Sequence, residues 1–353
     1  MLEIAAHLAS AGHESLVISN GGRLVAGLEA AGSRHLQMPV HRKALRSFLQ
    51  VGKLRTVFKQ ERPDIVHVHS RVPATLAYLA WRGMDPAIRP RLVTTVHGFY
   101  SVNAYSAIMT RGEQVIAVSE SIRDYVLTNY PKINPAKLHV IHGGVDDTGA
   151  YPADFMPTNE WLEKWSSAQP QLAGRIPLLM PARLTRWKGQ ADFIQLIAKL
   201  IGLGRPVHGL IVGEPHPSKL SYLDELKALG TTLGVSEHLS FLGHRSDLRE
   251  IMAISALVYS LSTDPEAFGR VSLEALALGK PVVGYSHGGV AEQLNAIFPQ
   301  GLVAVGDVAA ALATTLHILD HRLKPAGIGP FTLRRTLEAT TEIYQRLCDS
   351  PRS

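Results

Sequence analysis

The sequence has almost no cysteine and no long apolar run. Cys348, near the end of the chain, is the only cysteine among its 353 residues. A disulfide framework is therefore excluded, and a reducing compartment is expected. The sequence also contains no run of about 18 apolar residues, which is the length that a helix needs to cross a bilayer. Residues 1–4 lack the basic region of a secretory signal. These absences together predict a cytoplasmic protein.

Acidic residues are scarce in the first half of the chain. Residues 1–150 contain 17 Lys and Arg against 11 Asp and Glu, whereas residues 151–353 contain 19 of each class. The net charge of +6 therefore comes entirely from the first half. No recognised nucleic-acid-binding module accompanies this excess, so nucleic acid is not an expected partner.

The basic excess is concentrated in residues 42–62. The segment's basic residues are Arg42, Lys43, Arg46, Lys53, Arg55, Lys59 and Arg62, and its one acid is Glu61. These residues are interleaved with apolar ones, among them Leu45, Phe48, Leu49, Leu54, Val57 and Phe58. This pattern predicts a basic amphipathic helix. Such a helix can lie on an anionic membrane surface, or it can pack on the core with its basic face in water.

Helical patterns alternate with short apolar, β-branched runs along both halves of the chain, as in parallel sheets covered by helices. The expected strands of the first half are 15–19, 35–38, 64–69, 92–97, 114–118 and 138–141. Those of the second half are 176–180, 207–212, 239–242, 257–261, 281–284 and 302–305. Prolines and small polar residues interrupt the alternation over 145–172, where we expect a linker.

This alternation predicts an α/β protein of two Rossmann-like, doubly wound domains that face each other across a cleft. We place the domains at 1–150 and 151–330, and a helix at about 331–353 can pack back on the first. In such sheets, ligands bind at the carboxyl ends of the strands. The first sheet lacks one expected element, because the sequence starts directly in a helical pattern at residues 2–11. We expect a central strand to be absent, either because the start was cut or misassigned, which we favour, or because the sheet tolerates a gap.

A pair of glutamates gives the strongest chemical signal. Glu266 and Glu274 lie eight positions apart, across a junction between a loop and a helix expected at about 270–278. Gly269 removes a side chain where the chain turns. The first turn of the helix presents N–H groups that bind anions such as a diphosphate. Glu274 is placed to accept hydrogen bonds from ribose hydroxyls, and Glu266 is placed to meet a sugar.

The stretch 264–283 resembles the E-x7-E segment of the family-four retaining glycosyltransferases of GT-B fold. Upstream, Arg183 and Lys188 are similar to that family's R-x4-K segment, in which Arg and Lys bind the donor diphosphate. A guanidinium and an ammonium stabilise phosphoryl oxygens that gain charge, which makes a metal unnecessary.

The resemblance implies a donor site over much of the second half. The diphosphate group of residues is Arg183, Lys188, Gly269, Arg270 and Val271. The nucleoside and ribose group is Glu274, Gly213, Glu214, Leu242 and Gly243. The donor sugar is expected at Phe268 and Gly269, with residues 288–292 beyond it.

Histidines mark the expected strand ends of the first half. The resemblance implies that His97 contacts the transferred sugar as a polar group and not as a nucleophile, so His97 and Glu266 are the predicted catalytic residues. His69, Ser70 and Arg71 are expected to border the acceptor pocket. His67, His69 and His97 also raise a metal interpretation. We disfavour it because no carboxylate or cysteine stands at ligand spacing.

The predicted function is metal-independent, retaining transfer of a sugar from a nucleoside diphosphate donor to a glycan or lipid-linked acceptor. The expected setting is envelope polysaccharide or lipopolysaccharide synthesis in the cytoplasm, at the inner membrane face. The sugar nucleotide is a substrate, and no cofactor is expected. Two alternatives remain: an inactive donor-binding or scaffold protein of the same fold, and a nucleotide-sugar 2-epimerase.

Overall fold

A computed structural model describes residues 1–215 and 221–351. The chain divides into two compact units. The first contains residues Met1–His142 and the chain from Arg334 onward, and the second contains Gly143–Leu333. The boundaries therefore differ from the expected 150 and 330.

The segment expected as a linker, 145–172, belongs to the second unit. Val145 is fully buried in that unit's core and forms a β-bridge with Thr332. A helix at Asn159–Ala168 is capped by the preceding residue, Thr158, whose side chain accepts a hydrogen bond from the backbone N–H of Trp161. Its residue Trp165 is buried in the same core. Apolar burial thus ties this segment to the second unit, despite its prolines and small polar residues.

The first unit contains six strands and six α-helices within the described residues. The strands are β1 (Leu16–Ser19), β2 (Arg34–Gln37), β3 (Ile65–Val68), β4 (Arg91–Val96), β5 (Gln114–Ala117) and β6 (Leu138–Val140). The helices are α1 (Leu2–Ser10), α2 (Val25–Ala30), α3 (Leu49–Glu61), α4 (Arg71–Arg82), α5 (Glu120–Asn129) and the last helix of the chain, Leu333–Asp349. Every strand of the sequence prediction for this half is confirmed to within two residues at either end.

These strands form two sheets instead of the expected one. β3, β4, β5 and β6 lie in that order in a parallel sheet, and β1 pairs in parallel with β2 and with no other strand that the structure describes. The separation agrees with the expected gap in the N-terminal sheet. All six residues of β4 are buried, as an inner strand covered on both faces requires. The last helix of the chain adds Ile343 and Leu347 to the core around Val93 and Ile116.

The basic segment 42–62 is helical over a shorter range than expected. α3 follows a short 3-10 helix at Leu45–Phe48, and its carboxyl end is capped by Arg62 with a left-handed φ of 45°. Leu54 and Phe58 are buried, so this part packs on the core. Leu45, Phe48 and Leu49 are 87%, 50% and 72% exposed. The core-packing interpretation therefore holds for the carboxyl part of the segment alone.

In its described residues, 143–215 and 221–333, the second unit has six strands, and every strand predicted for it is confirmed to within two residues at either end. They are β7 (Ile176–Pro181), β8 (Val207–Val212), β9 (Leu239–Gly243), β10 (Leu257–Ser260), β11 (Val282–Tyr285) and β12 (Leu302–Val303). The helices of this unit are α6 (Asn159–Ala168), α7 (Gln190–Gly202), α8 (Ser221–Thr232), α9 (Leu248–Ile254), α10 (Arg270–Ala277), α11 (Gly288–Ile297) and α12 (Val308–His321). The last helix, Leu333–Asp349, is α13.

The sheet of the second unit is parallel, with spatial order β12-β11-β10-β7-β8-β9. This is the doubly wound order of a dinucleotide-binding fold, which reverses direction between its first and fourth strands. Here the reversal falls between β7 and β10, which pair directly at Leu257 with Leu178 and at Val258 with Leu179. Ligands of such sheets bind outside the carboxyl ends of the two strands at this point.

Within the described parts of the chain, none of the helices combines the length and the apolar content that a bilayer span requires.

Candidate donor site

The loops that follow β7 and β10 are in direct contact. Gly189 has a φ of 79°, and a Cβ built on it would lie 1.9 Å from the carbonyl oxygen of Leu261. Only glycine fits this approach without a shift of the backbone. The backbone N–H of Thr263 donates to the carbonyl of Trp187 at 2.7 Å. These contacts bring the segment 183–188 against the segment 262–266.

Lys188 and Glu266, predicted to bind diphosphate and sugar, form an ion pair. The Lys188 Nζ lies 2.7 Å from the Glu266 Oε1, and the side chains are only 12% and 20% exposed. The Ser262 hydroxyl donates to the same carboxylate oxygen at 2.5 Å. The ammonium is therefore already neutralised, and a diphosphate must compete with Glu266 for it.

The Glu266 loop is supported from behind by the start of α11. The backbone N–H of Gly289 donates to the Glu266 carbonyl at 2.8 Å. The His287 ring bonds through Nε2 to the carbonyl of Ser262 at 2.6 Å. The segment 288–292, expected beyond the donor sugar, thus fixes the loop that carries the carboxylate.

The first turn of α10 opens toward the same place. Gly269 caps the helix with a left-handed φ of 84° and offers no side-chain cap. The fully buried Gln293 holds this turn, because its amide donates to the carbonyl of Phe268 at 2.6 Å and its oxygen accepts from the Ser272 hydroxyl at 2.8 Å. A helix start held in this way is suited to bind an anion.

A cavity of about 190 Å³ lies between these elements. It is lined by Met180, Pro181, Ala182, Arg183, Lys188, Tyr259, Ser260, Leu261, Ser262, Glu266, Gly269, Val271 and Ser272. Five of the predicted site residues therefore share one cavity at the point where strand order reverses.

Arg183 and Arg186 have different surroundings. Arg183 is exposed and, within the described residues, has no ion-pair partner, while its carbonyl accepts a hydrogen bond from Gln190 at 2.9 Å. Arg186 points elsewhere and pairs with Glu225 at 2.7 Å. Arg183 is thus the cation of the cavity that is available to a diphosphate without exchange of partners.

Glu274 and Arg270 do not line the cavity. The Arg270 Nε donates to the Glu274 Oε1 at 3.0 Å, one turn along α10, and Glu274 is 9% exposed. Tyr151 also bonds to Glu274. Burial, with the Glu274 charge second, raises the pKa of Tyr151 to about 12. The predicted ribose carboxylate is therefore held by two side chains.

The residues predicted for the nucleoside base form a separate group at the ends of β8 and β9. The backbone N–H of Gly213 donates to the carbonyl of Gly243, the neighbour of Leu242, at 2.8 Å. The Glu214 carboxylate accepts from the N–H of His244 at 3.4 Å. The strand order places this group beside β7, outside the cavity lining.

Phe268, predicted to meet the donor sugar, does not line the cavity either. A Cβ on Gly143 would lie 2.8 Å from the Phe268 ring, and the ring centroid of Phe331 is 6.1 Å away. The ring therefore packs against the margin of the core, since it is apolar and has these partners.

Three histidines cluster in the first unit at the ends of β3 and β4. The His69 Nδ1 and His97 Nε2 are 3.0 Å apart, so one nitrogen donates and the other accepts. His67 bonds to the hydroxyls of Tyr344 at 2.5 Å and Thr95 at 2.6 Å. Burial lowers the pKa of His67 to about 3 and that of His69 well below its ordinary value, and desolvation lowers that of His97 to about 4. All three rings are therefore neutral near pH 7.

Across residues 1–215 and 221–351, no group of three His, Cys, Asp or Glu is arranged to hold a metal ion.

Sequence reasoning missed the residues that hold the site together. Ser262 could have been found, because it directly follows the strand expected at 257–261. Tyr151 and Gln293 are far from their partners along the chain, and no local pattern links them to Glu274 or Phe268.

Comparisons with known proteins agree with this geometry. Residues 1–148 match the family described as Glycosyltransferase Family 4, and residues 163–326 match Glycosyl transferases group 1. A glycosyltransferase structure from Rickettsia africae ESF-5 superposes with a TM-score of 0.85 and 29% identity, covering 99% of this chain and 94% of that one. The Anabaena protein HepE in complex with UDP and glucose has a TM-score of 0.79 at 22% identity, covering 98% and 94%.

A D-inositol 3-phosphate glycosyltransferase of Mycobacterium sp. strain KMS is 30% identical over 290 residues, or 77% of this chain. The chain spans only 61% of that relative's length. The order of the motifs, the fold of both units and these matches identify the chain as a member of the family-four glycosyltransferases of GT-B fold.

We expect the Lys188–Glu266 pair to couple strongly in stability. In a double-mutant cycle of Lys188→Met and Glu266→Gln, the interaction free energy should be about 1–3 kcal/mol, since each single change leaves a charge in a confined place. Urea unfolding of the full chain, followed through the transition of the second unit, measures this interaction free energy.

The control cycle uses Lys164→Met and Glu160→Gln. That pair has a 2.5 Å contact but side chains 74% and 77% exposed. Its coupling should stay below about 0.5 kcal/mol. Equal couplings in the two cycles would contradict the confinement of Lys188 and Glu266.

The first unit should lose stability as the pH falls. Because the pKa of folded His67 is about 3 and that of an unfolded histidine is about 6.5, the unfolded chain takes up the proton first. The contribution of His67 is complete above pH 6.5 and is lost progressively down to pH 3, at no more than about 1.4 kcal/mol per pH unit.

Amide hydrogen exchange of β3 and β4 at pH 7.5 and 5.0 measures this loss. His67→Gln, which keeps hydrogen-bonding atoms but cannot take up a proton, should show a smaller loss than the wild type. The same loss in both proteins would be evidence against a buried neutral His67.

Proposed function

We propose that this chain catalyses retaining, metal-independent transfer of a sugar from a nucleoside diphosphate donor to a glycan or lipid-linked acceptor. The observation that carries the proposal is the cavity where Arg183, Lys188, Glu266 and the start of α10 converge at the reversal of strand order. The complex of HepE with UDP and glucose supports a nucleoside diphosphate as the donor's leaving group.

The diphosphate binds at the first turn of α10, where Gly269 and Val271 line the cavity. Arg183 contacts it directly, and Lys188 exchanges the Glu266 carboxylate for a phosphate oxygen. As the bond to the sugar breaks, negative charge grows on the diphosphate, and the two cations and the helix start stabilise it. These groups supply positive charge at the leaving group without a metal ion.

The exchange at Lys188 gives Glu266 its role. Once it is released from the ammonium, the carboxylate keeps its hydrogen bond from Ser262 and accepts a second one from a donor sugar hydroxyl. Sugar binding and diphosphate binding are therefore linked through one side chain. Glu274 accepts hydrogen bonds from the ribose, and Gly213, Glu214, Leu242 and Gly243 contact the base.

His97 acts as a neutral polar group toward the transferred sugar. With a pKa of about 4 it carries no proton to donate as an acid at pH 7. Its contact with His69 orients the ring and leaves Nδ1 for a sugar hydroxyl. This chemistry fits a reaction on one face of the sugar without an enzyme nucleophile.

The setting we propose is envelope polysaccharide or lipopolysaccharide synthesis at the inner face of the cytoplasmic membrane. The surface formed by Leu45, Phe48 and Leu49, which we call the apolar patch, supports it, since exposed Arg42, Lys43 and Arg46 adjoin it in sequence. Apolar side chains that enter a bilayer next to basic residues fit an anionic surface.

A donor should stabilise the protein, and the effect should depend on Glu274. A nucleoside diphosphate at about 100 times its dissociation constant adds roughly 2.7 kcal/mol to the free energy of unfolding. Thermal unfolding against a panel of nucleoside diphosphates and their sugars should show one selective shift, which Glu274→Gln abolishes or strongly reduces.

Glu338→Gln is the matched control for the donor test. Glu338 also accepts from an arginine four residues earlier on a helix, Arg334 at 2.7 Å, but it lies in the first unit and on the surface. It should retain the full shift. Absence of any shift from a cooperatively folded wild type would refute donor binding.

Turnover of the identified donor distinguishes the remaining alternatives. With EDTA present, NMR of the product should show the anomeric configuration of the donor. Binding without transfer supports the scaffold alternative, and release of an epimerised free sugar without an acceptor supports the epimerase.

Membrane binding should depend on the apolar patch. Changing both Leu45 and Leu49 to serine should reduce partition onto phosphatidylglycerol vesicles about tenfold or more, because two exposed leucines no longer enter the bilayer. Cosedimentation with vesicles measures the partition.

Leu203→Ser is the control for membrane binding, since Leu203 is 59% exposed in the second unit. It should bind as the wild type does. Equal binding to phosphatidylglycerol and phosphatidylcholine, or no loss in the double variant, would argue against this role of the patch.

A further inference from the structure

Arg71 has aromatic rings and a hydroxyl as its partners, which is unusual for a basic residue. It is the first residue of α4, and its guanidinium carbon lies 4.7 Å from the ring centroid of Tyr100 and 5.4 Å from that of Tyr105. One guanidinium nitrogen donates to the Ser106 hydroxyl at 3.1 Å. Aromatic faces and one neutral hydroxyl thus fix the position of a charged group.

A second cation reaches the same aromatic ring. The Lys43 Nζ lies 4.7 Å from the centroid of Tyr105. Lys43 comes from the exposed segment before α3, far from Arg71 in sequence. Two positive charges therefore gather around the Tyr105 ring.

Neither cation is neutralised by an acid. In the described parts of the chain, no Asp or Glu pairs with Arg71 or Lys43. Like charges that share a ring repel each other, and an anion bound to both removes that repulsion. This arrangement differs from Lys188, which has its own carboxylate.

The surrounding groups suit a phosphate in particular. A guanidinium matches two phosphate oxygens as a fork, and an ammonium adds a point charge. Ser70 precedes α4 with an exposed side chain that does not cap the helix, and a helix start attracts anions. Burial raises the pKa of Tyr105, so its hydroxyl keeps the proton that it can donate.

This group of residues is connected to His97. The backbone N–H of His97 donates to the hydroxyl of Tyr100 at 3.3 Å. The ring of the same tyrosine lies under the Arg71 guanidinium, so Tyr100 contacts both residues. A phosphate at Arg71 would therefore lie near the histidine assigned to the transferred sugar.

We propose that Arg71 and Lys43 bind a phosphate group carried by the sugar acceptor. This inference rests on the proposed function for the word acceptor, but binding of phosphate at the two cations does not. The shared chemistry is a phosphate, which a soluble phosphorylated sugar or a phospholipid can supply.

Titration with inorganic phosphate, followed by isothermal calorimetry and by the chemical shifts of the first unit, tests the site on the full chain. Arg71→Gln should weaken phosphate binding about tenfold or more, and Lys43→Gln by a smaller factor. Arg71→Lys should fall between wild type and Arg71→Gln, since it keeps the charge and loses the fork. Because Lys43 is exposed, its variant should fold as the wild type does.

Arg89→Gln is the matched control. The Arg89 guanidinium also lies over an aromatic ring of the first unit, that of Trp81 at 3.7 Å, but no second cation shares that ring among the described residues. It should bind phosphate as the wild type does. Equal phosphate affinity in the wild type, Arg71→Gln and Lys43→Gln would overturn the inference.

Two further measurements separate the outcomes. Affinity for the nucleoside diphosphate should be unchanged in Arg71→Gln, and a parallel loss would overturn the inference by assigning Arg71 to the donor diphosphate. If no nucleoside diphosphate binds while phosphate binding still depends on Arg71, the proposed function fails and this site stands. Loss of binding to phosphatidylglycerol vesicles in Arg71→Gln identifies a lipid source, and unchanged vesicle binding with weakened phosphate binding identifies a soluble acceptor.

Discussion

The candidate donor site depends on the direct pairing of β7 with β10. These strands are far apart in sequence, and the strand order of the sheet runs in opposite directions on either side of them. The loops at their carboxyl ends can therefore approach each other without an intervening strand. The close contact of Gly189 with the Leu261 carbonyl then sets the distance at which Lys188 meets Glu266.

Two cations near the donor cavity are paired with acids, whereas the two cations at the Tyr105 ring are not. In the second unit, Lys188 is paired with Glu266 and Arg270 with Glu274. A ligand that displaces either glutamate must therefore make more than one favourable contact. In the first unit, Arg71 and Lys43 rest on aromatic rings and keep their full charge. A paired cation discriminates between ligands, whereas an unpaired one attracts any anion of suitable shape.

Much of the fold was predictable from the sequence, because the period of the apolar residues and the positions of the glycines are local signals. The strands at 207–212 and 176–180 are examples. The division at 142/143 was not predictable, since the burial of Val145 depends on a partner as distant as Thr332. In the site, the helix predicted between Glu266 and the residues after Glu274 is present as α10, but the partners of these carboxylates are set by tertiary packing.

The Glu266 loop is held mainly through its main chain. The N–H of Gly289 binds the Glu266 carbonyl, and the Gln293 amide binds the carbonyl of Phe268. Neither bond depends on which side chain stands at position 267, within the loop. Substitutions there can reshape the surface of the loop while the Glu266 carboxylate stays in place. Under the proposed function, position 267 is therefore a place where the preference for a sugar can change without rebuilding the rest of the site.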